Sequence, residues 1–389
     1  MSTMYNHRLI ILVFCGLIFS FLCSCRPEAE EAQTPVMIRY NDFKTEVFYV
    51  SADQTSMDGH WMMTDDALVF LDEYVPGVKQ YDLKGNYVKD CIRHGRARNE
   101  IICPVVAVAK DIETSTFCFL DSEMTFSIFD FSFENRFKTT MPFFYEFDKG
   151  SEKTSWKQLL EHPDPRALKM YEYLLRSDRV VSCAGRVTLP VETTHRHYNG
   201  YERGSRAKEV WRKVFAFMSF DCRNISGTAK LWGKYPAVYQ KRNLPVFSAP
   251  DICATESGFL VSFPADPKIY VYDIDGNLTD SFGVARPDIG LDFPETRTIQ
   301  EYDREYNRMR QQKGFYGRLY LSDKRLFRQY YSDAGTYGVQ IYEGQCLVGE
   351  IPLAEPLEIL GEKDGVYYAY IRAEVENERF KFVRFSLKQ

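Results

Sequence analysis

The sequence is poor in the short motifs that mark enzymes and nucleic-acid binders. It contains no GxSxG, HExxH or P-loop segment, and so offers no nucleophile elbow, zinc helix or phosphate-binding loop. Its net charge is only -5 over 389 residues, whereas a nucleic-acid binder should carry a dense basic face. From these features we predict no catalytic residue, no metal site, no cofactor and no nucleic-acid partner.

Cysteine spacing also says little. Seven cysteines follow Cys25, an odd number, and no two of them are spaced as CxxC. Cys118 lies in the apolar run FCFL, which is typical of a small core residue. We interpret most of these thiols as core residues. One disulfide is compatible with export, but the spacing does not choose its partners.

What the chain has in excess is aromatic side chains. With 29 Phe and 26 Tyr, 15% of its residues are aromatic. Bulky aromatic side chains suit the half-buried faces of pleated sheets. A chain of this length that is 45% hydrophobic can build a large core. The composition therefore favours a large all-β domain.

The N-terminus is typical of an exported lipoprotein. Arg8 precedes an apolar run over residues 9–22, which is too short for a stable membrane span. The following LCSC resembles a bacterial lipobox, with Leu22 at -3, Ser24 at -1 and the unusual Cys23 at -2. We predict a signal peptide over residues 1–24 and acylation of Cys25, which would anchor the protein to a membrane. The alternatives are an uncleaved anchor and a plain signal peptide.

Residues 25–35 are polar, with a proline near each end, and are predicted to form a flexible tether. Their acidic group resembles the export signals that carry some Bacteroidetes lipoproteins to the outer face of the outer membrane. A merely solvated tether explains the same residues equally well. We therefore expect a lipid-anchored protein of the cell envelope at the outer membrane, on either its periplasmic or its surface face.

Repeats reveal the architecture of residues 36–389. The phrase YDLKGNY at Tyr81 has a near twin, YDIDGNL, at Tyr272. The two phrases lie in residues 61–88 and 252–282, each of which has a pattern of strand, turn, strand, turn and strand. The same pattern recurs in residues 105–137 and 357–387. Looser copies lie at 180–227 and 317–351, which makes six units.

One position marks each unit, directly after a Tyr or Phe: Asp82, Asp130, Asp221, Asp273, Glu343 and Ser386. The spacings are 48, 91, 52, 70 and 43 residues, and the short ones match a four-stranded propeller blade. The early strand at residues 36–50 has no unit of its own, and the last unit lacks a strand. We therefore predict an all-β, six-bladed β-propeller that the N-terminal strand closes.

The residues then carry a family resemblance. YDLKGNYV followed by HGRARNEIICPVVAVAKD resembles the NHL-like and TolB-like six-bladed propellers, in which a Gly-rich loop and a proline lead into each inner strand. Pro104 and Pro250 match that pattern. The mature chain is similar to the TolB-like propeller lipoproteins of Bacteroidetes. The resemblance implies the fold and an envelope location, and little about activity.

The two long spacings predict two helical insertions. In the first, Leu168, Tyr171, Leu174 and Leu175 fall on one helical face. In the second, residues 295–314, the apolar stripe consists of Ile299, Tyr302, Tyr306 and Met309. If both insertions leave the ring at the same end, they should form one partial lid.

The twin phrases are predicted to be tight hairpin turns in which glycine takes a positive φ and the aspartate caps the turn. DIDGN also resembles the start of a calcium loop. The twin, however, has Lys84 in place of Asp275, and no glutamate closes the site downstream. A calcium site is therefore disfavoured.

Two charged segments are candidate binding groups. Arg93, His94, Arg96 and Arg98 share one loop, which in a propeller should lie near an end of the central channel. Such a loop could attract a carboxylate or an acidic sugar, although a solvated loop is the simpler interpretation. The segment HRH at residues 195–197 could offer two imidazoles to a metal, but no cysteine or carboxylate is spaced to complete a site.

Two functional classes remain open. The first is a non-catalytic binding or scaffolding lipoprotein that holds a peptide, a glycan or a protein partner at one end of the propeller. The second is a metal-dependent lactonase-, esterase- or lyase-like enzyme, whose metal ligands would come from different blades. We favour binding, since we identify no clear carboxylate series at the starts of the inner strands.

The lipidation hypothesis predicts a cellular phenotype. Cys25→Ala should move the protein from the membrane fraction to the soluble fraction or arrest it as an unprocessed precursor. Cys23→Ala, which changes the neighbouring thiol, should leave fractionation unchanged. Membrane association of Cys25→Ala in processed form at the level of the unchanged protein would contradict lipidation.

Overall fold

The computed structural model describes residues 43–75, 77–101, 104–141, 156–174, 179–193, 195–200, 206–322 and 324–387. The predicted signal peptide, Cys25, the tether and residues 36–42 of the early strand lie outside these ranges, as do Cys103 and Leu175. Within them, the chain forms six sheets, and it is the six-bladed β-propeller with helical insertions that the repeats predict. No helix in the described part is long and apolar enough to cross a membrane.

The first three blades follow β1 (Phe43–Ser51) along the chain. Blade 1 consists of β2 (Gly59–Met63), β3 (Ala67–Asp72), β4 (Val78–Asp82), β5 (Tyr87–His94) and β6 (Glu100–Ile101). Blade 2 consists of β7 (Val105–Asp111), β8 (Thr116–Asp121), β9 (Thr125–Asp130) and β10 (Asn135–Thr140). Blade 3 consists of β11 (Tyr171–Tyr173), β12 (Val181–Cys183), β13 (Arg186–Thr193), β14 (Phe215–Asp221) and β15 (Lys230–Lys234).

The remaining blades complete the ring. Blade 4 consists of β16 (Asp251–Thr255), β17 (Gly258–Ser262), β18 (Ile269–Asp273) and β19 (Leu278–Phe282). Blade 5 consists of β20 (Phe315–Ser322), β21 (Arg325–Tyr331), β22 (Tyr337–Glu343) and β23 (Cys346–Leu353). Blade 6 consists of β24 (Glu358–Lys363), β25 (Val366–Glu374), β26 (Arg379–Leu387) and β1.

The described helices are short except for one. They are α1 (Trp156–Glu161), α2 (Arg206–Lys213), α3 (Ile225–Thr228), α4 (Ala237–Lys241) and α5 (Ile299–Gln312). Three 3₁₀ turns lie at Leu168–Met170, Pro245–Phe247 and Val375–Asn377.

The N-terminal strand closes the ring as predicted. β1 pairs antiparallel with β26 along its whole length, from Phe43 opposite Leu387 to Ser51 opposite Arg379. Phe48 stacks on Phe382 across this pair, with ring centroids 5.3 Å apart. The last blade therefore takes its outer strand from the start of the domain and its other three strands from the end.

The inner strands of the six blades form a closed circle. β2 contacts β7, β7 contacts β12, and the contacts continue through β16, β20 and β24 back to β2. We call the end at which these strands begin the upper end. Since neighbouring strands in a blade run antiparallel, blade-to-blade connections and second-to-third-strand connections lie at the upper end. The other connections lie at the lower end.

The twin phrases are hairpin turns at the lower end, as predicted. In each, the aspartate carboxylate accepts hydrogen bonds from the backbone and side-chain amides of the asparagine four residues on, at 2.8–2.9 Å for Asp82 and Asn86 and for Asp273 and Asn277. Hydrogen bonds from Asn277 lower the pKa of Asp273. This contribution to stability is therefore present at neutral pH and lost as the pH falls through the lowered pKa.

The glycine of each twin turn fits against the outer strand of the preceding blade. Gly276 has φ +76°, and a Cβ there would lie 2.5 Å from Cγ of Trp232 on β15. Gly85 has φ +90°, and its Cβ would lie 3.0 Å from Val50 on β1. The phrase recurs because the same blade-to-blade contact recurs.

The marker residues identified in the sequence also fall at equivalent places. Five of them are the last residue of the third strand of their blade: Asp82, Asp130, Asp221, Asp273 and Glu343. Ser386 is the next-to-last residue of β26, the third strand of blade 6. The six-unit register was therefore correct.

The helix predicted around Tyr171 is wrong. Residues Leu168–Met170 form one 3₁₀ turn, and Tyr171 begins β11, which pairs with the end of β13. Tyr171 and Tyr173 are buried while Glu172 is exposed, so the burial period is two residues rather than 3.6. A free edge of β13 offers the backbone hydrogen bonds that override the helical pattern. In contrast, the second insertion forms α5 as predicted, with Tyr302 and Met309 buried and Ile299 half exposed.

One fully buried cation joins blades 4 and 5. Arg328 on β21 donates hydrogen bonds to Ser262 Oγ at 3.0 Å and to the carbonyl oxygen of Asp266 at 2.7 Å. Its guanidinium lies 3.9 Å from the ring centroid of Tyr316. Burial lowers the pKa of Arg328 to about 10, which still leaves it charged at neutral pH. Backbone carbonyls and an aromatic face thus take the place of a carboxylate partner.

The blade-to-blade contact of the twin turns predicts unequal costs for two alanine substitutions. Both Gly276→Ala and Gly365→Ala force a positive φ on alanine, at a cost of about 1 kcal/mol. Only Gly276→Ala also pushes a Cβ into Trp232, which should add about 1–3 kcal/mol, since Gly365 has no neighbour within 4 Å. Urea unfolding of the two variants measures the difference. Equal destabilisation would contradict the contact.

Candidate functional site

Four long connections rise from the upper end of blades 3, 4 and 5. They join β10 to β12, β13 to β14, β15 to β16, and β19 to β20, and they carry α1, α2, α4 and α5. We call their described residues the cap: residues 156–174, 195–200, 206–214, 235–250 and 283–314. The corresponding connections at the lower end are short turns, of which the longest carries α3.

Asn243 ties three of these connections together. Its side chain, only 3% exposed, donates hydrogen bonds to the carbonyl oxygens of Gly200 and Thr296, both at 2.6 Å. Its Oδ1 accepts a hydrogen bond from the indole N–H of Trp211 on α2 at 2.8 Å. One amide group on the β15–β16 connection therefore satisfies groups from two other connections, β13–β14 and β19–β20, which fixes the relative positions of all three.

An apolar core lies beneath these hydrogen bonds. Tyr302 and Met309 of α5 belong to the same buried cluster as Leu159 of α1 and Trp211 of α2. That cluster continues into the interior of blades 3 and 4. Both predicted insertions thus contribute to one packed unit at the same end of the ring, as the single-lid hypothesis required.

The central channel contains a second arrangement of polar groups. A cavity of about 140 Å³ is lined from blades 1, 2 and 6 and from Arg179, which precedes β12. Arg179 Nε donates to Asp251 Oδ1 at 2.9 Å, and the guanidinium lies 5.1 Å from the ring centroid of Tyr320. Arg318 Nη1 donates to Glu358 Oε1 at 3.0 Å. Each cation in these two pairs has a carboxylate from another blade.

Electrostatics in the channel follow burial and pairing. Burial is the largest single influence and opposes the charge of Arg179, but Asp251 and the other acidic neighbours together raise the pKa of Arg179 above its usual value. Burial lowers the pKa of Lys110, whose Nζ donates to the carbonyl oxygen of Met63 at 3.1 Å. Arg179 is therefore a fixed cation, and Lys110 is a cation in an unfavourable environment.

The arginine-rich loop lies at the upper end but on the outer strand of blade 1. Arg93 and His94 end β5, and Arg96 and Arg98 follow. All four side chains are exposed, and Arg96 pairs with Glu123 of blade 2 at 2.8 Å. None of them is among the residues lining the channel cavity. Anion binding by this loop stays a prediction, and it would occur at the perimeter.

The two histidines of the HRH segment contact each other, and His195 also contacts another connection of the cap. His195 is buried, its Nδ1 accepts from the backbone N–H of His197 at 3.2 Å, and its Nε2 lies 3.4 Å from the carbonyl oxygen of Leu160. In the DIDGN turn, Lys230 Nζ donates to Asp275 Oδ1 at 2.9 Å and so places a cation where calcium would bind. Across the described ranges, no three His, Cys, Asp or Glu side chains converge as a metal site.

The described cysteines are all reduced. Six thiols are present in the described ranges and none forms a disulfide. Cys118 of blade 2 and Cys222 of blade 3 are both buried and close enough for a hydrogen bond between their thiols, which together with burial raises the pKa of Cys118 well above its usual value. Both behave as core residues, as expected of Cys118.

Comparisons with known proteins identify the fold. No protein-family model and no curated protein matches the sequence. Among solved structures, a member of the DUF4221 family from Bacteroides vulgatus matches with a TM-score of 0.57 and 10% identity, over 88% of this chain and 96% of that chain. A protein from Bacteroides fragilis, described as exported, matches with a TM-score of 0.54 and 11% identity, over 91% and 97%. This chain therefore shares the propeller fold with these Bacteroides proteins.

Proposed function

We propose that this protein is a non-catalytic binding module of the cell envelope, and that it holds a protein or peptide partner at the cap. A glycan is the alternative partner of the same face. The observation that carries the proposal is the asymmetry between the two ends of the ring. Long connections in a compact fold are more often functional than accidental, and here four of them are built into one unit.

Exposed apolar side chains support a protein partner. Four of the large hydrophobic residues that remain exposed lie in the cap: Leu160, Val284, Leu291 and Ile299. Leu291 is 65% exposed and Ile299 is 47% exposed. Outside the strands, Ile112 is the one such residue at the lower end of the described chain. Apolar side chains rimmed by charged groups are typical of interaction surfaces.

The charged rim is supplied by α5. Arg304 and Arg308 are exposed on its outer face and both pair with Glu305. Pairs of this kind contribute little to stability when exposed, so they are available to steer a partner.

Attachment to a membrane through Cys25 is part of this proposal. The lipobox-like LCSC supports anchoring through Cys25, and the TolB-like resemblance supports an envelope location at the outer membrane. The Bacteroides fragilis structural neighbour is described as exported, which agrees with this location.

Removing α5 tests the proposal. A chain in which a short Gly linker replaces residues 298–312 should keep its β fold at reduced stability, because the six blades lie outside this segment but Tyr302 and Met309 leave the buried cluster. It should recover its partner from envelope extracts at least about tenfold less efficiently. Circular dichroism checks the fold, and quantitative mass spectrometry of the pull-down measures the recovery.

A pair of charge reversals provides a matched control. Arg304→Glu with Arg308→Glu should weaken capture without removing any buried group. Lys84→Glu with Arg223→Glu, at exposed lower-end turns, should leave capture unchanged. Retention of every partner by both cap variants would refute binding at this face.

A further inference from the structure

The cap is divided into two parts that differ in charge. On α5 the three acidic and three basic side chains cancel. The part formed by residues 195–200, α2 and α4, together with Lys234 at the end of β15, instead carries an excess of exposed cations, although the chain as a whole has a net charge of -5. We call these cations the basic face: Arg196, Arg212, Lys213, Lys234 and Lys241.

Aromatic packing joins α2 to α4 beneath this face. The ring of Trp211 on α2 lies 4.7 Å from that of Tyr235, shortly before α4, and 5.8 Å from that of Tyr239 within α4, measured between centroids. All three rings are buried. Arg212 follows Trp211 directly, and Lys241 ends α4. Buried packing therefore brings together the two helices that carry these exposed cations.

Two further contacts place the remaining cations beside the end of α2. Lys213 Nζ lies 5.9 Å from the ring centroid of Tyr198, which belongs to the same connection as Arg196. Lys234 Nζ donates a hydrogen bond to the carbonyl oxygen of Val214 at 3.3 Å. The basic face is therefore a continuous part of the cap rather than a scatter of unrelated side chains.

Carboxylates do not balance this charge. The one ion pair that joins the basic face to a described carboxylate links Lys213 to Glu209, at 3.8 Å and with both side chains at least half exposed. Arg212 and Lys241 form neither an ion pair nor a hydrogen bond with any described residue. The carbonyl end of α2 accounts for Lys213 and Lys234, since cations stabilise that end of a helix. It does not account for the other three cations.

An apolar side chain borders the basic face. Leu160 on α1 is 50% exposed, and its carbonyl oxygen lies 3.4 Å from Nε2 of His195, the residue before Arg196. Interaction surfaces combine apolar anchors of this kind with charged groups at their rim. Leu160 thus offers an anchor beside the cations.

We propose that the basic face binds an acidic peptide segment of the partner, with Leu160 packing against an apolar side chain of that segment. The inference rests on the proposed function, because it names the chemistry of the partner that the cap holds. Unpaired cations gain a counter-charge when carboxylates arrive, whereas Arg304 and Arg308 of α5 would have to exchange one carboxylate for another. The acidic segment therefore belongs on α2 and α4.

Fluorescence anisotropy of a labelled synthetic peptide tests this inference. The probe is a short peptide of glutamate and leucine, and its neutral analogue has glutamine in place of every glutamate. With the full-length protein in non-ionic detergent, the acidic peptide should bind with a dissociation constant on the order of 100 μM or lower, and the neutral analogue at least about tenfold more weakly. Added salt should weaken the binding, because it screens exposed charges.

Charge reversal on the basic face provides the decisive variant. Arg212→Glu with Lys241→Glu should weaken binding of the acidic peptide at least about tenfold. The fold should be unaffected, because neither side chain has a described partner to lose. Lys84→Glu with Arg223→Glu makes the same change in net charge at exposed turns of the lower end and should leave peptide binding unchanged.

Three results would overturn the inference. They are equal binding of the two peptides, equal binding by the two double variants, and displacement of the probe by inorganic tripolyphosphate at a lower concentration than by unlabelled acidic peptide. The last of these would assign the basic face to phosphate groups. The pull-down separates this inference from the broader proposal, since loss of the partner on removal of α5, without any preference for the acidic peptide, would overturn the acidic chemistry and leave binding at the cap in place.

Discussion

Closure of the ring by β1 is the constraint on which the rest of the structure depends. Nine residues of β1 pair with nine of β26, which joins the two ends of the domain in one sheet. Without this strand, β26 would present an unpaired edge, and Phe382 would lose the ring that stacks on it. Blade 6 contacts blade 1 through Trp61, which packs edge-on against Phe382 and Phe380. The position of the inner strands, and so the shape of the channel, follows from that closure.

The antiparallel order of each blade then separates the two ends. Connections at the lower end join neighbouring strands of one blade, so they are short and carry capped turns such as that of Asp273. Connections at the upper end either cross to the next blade or join second and third strands, and they can grow without breaking a hairpin. The cap is built from four such connections, and Asn243 holds three of them in place. The channel cavity, in contrast, belongs to the inner strands themselves.

Local patterns predicted the fold well because propeller blades repeat local chemistry. The Tyr-Asp turns, the marker residues at the ends of third strands and the closing strand were all readable from the chain. The helix expected around Tyr171 failed because a short apolar run is compatible with both periods, and the free edge of β13 chose the strand. That edge exists only in three dimensions.

The sites were far less predictable. The loop from Arg93 to Arg98 stood out by charge density, yet it lies on an outer strand. Lys110, Arg179 and Glu358 come together from three blades and from residues far apart in the sequence, so no spacing could reveal them. Asp251 and Glu358 do begin inner strands, a signal that was present in the sequence but meaningful only once those strand starts were known.

Hydrogen–deuterium exchange of β1 tests the central claim most directly. If β1 closes the ring, the amides of residues 43–51 that hydrogen-bond to β26, which are every second one in an antiparallel edge strand, should exchange as slowly as the bonded amides of β25 and β26, because all of them open only when blade 6 unfolds. Exchange of these β1 amides within seconds, while β25 and β26 remain protected, would show that the ring closes without it and would contradict this account.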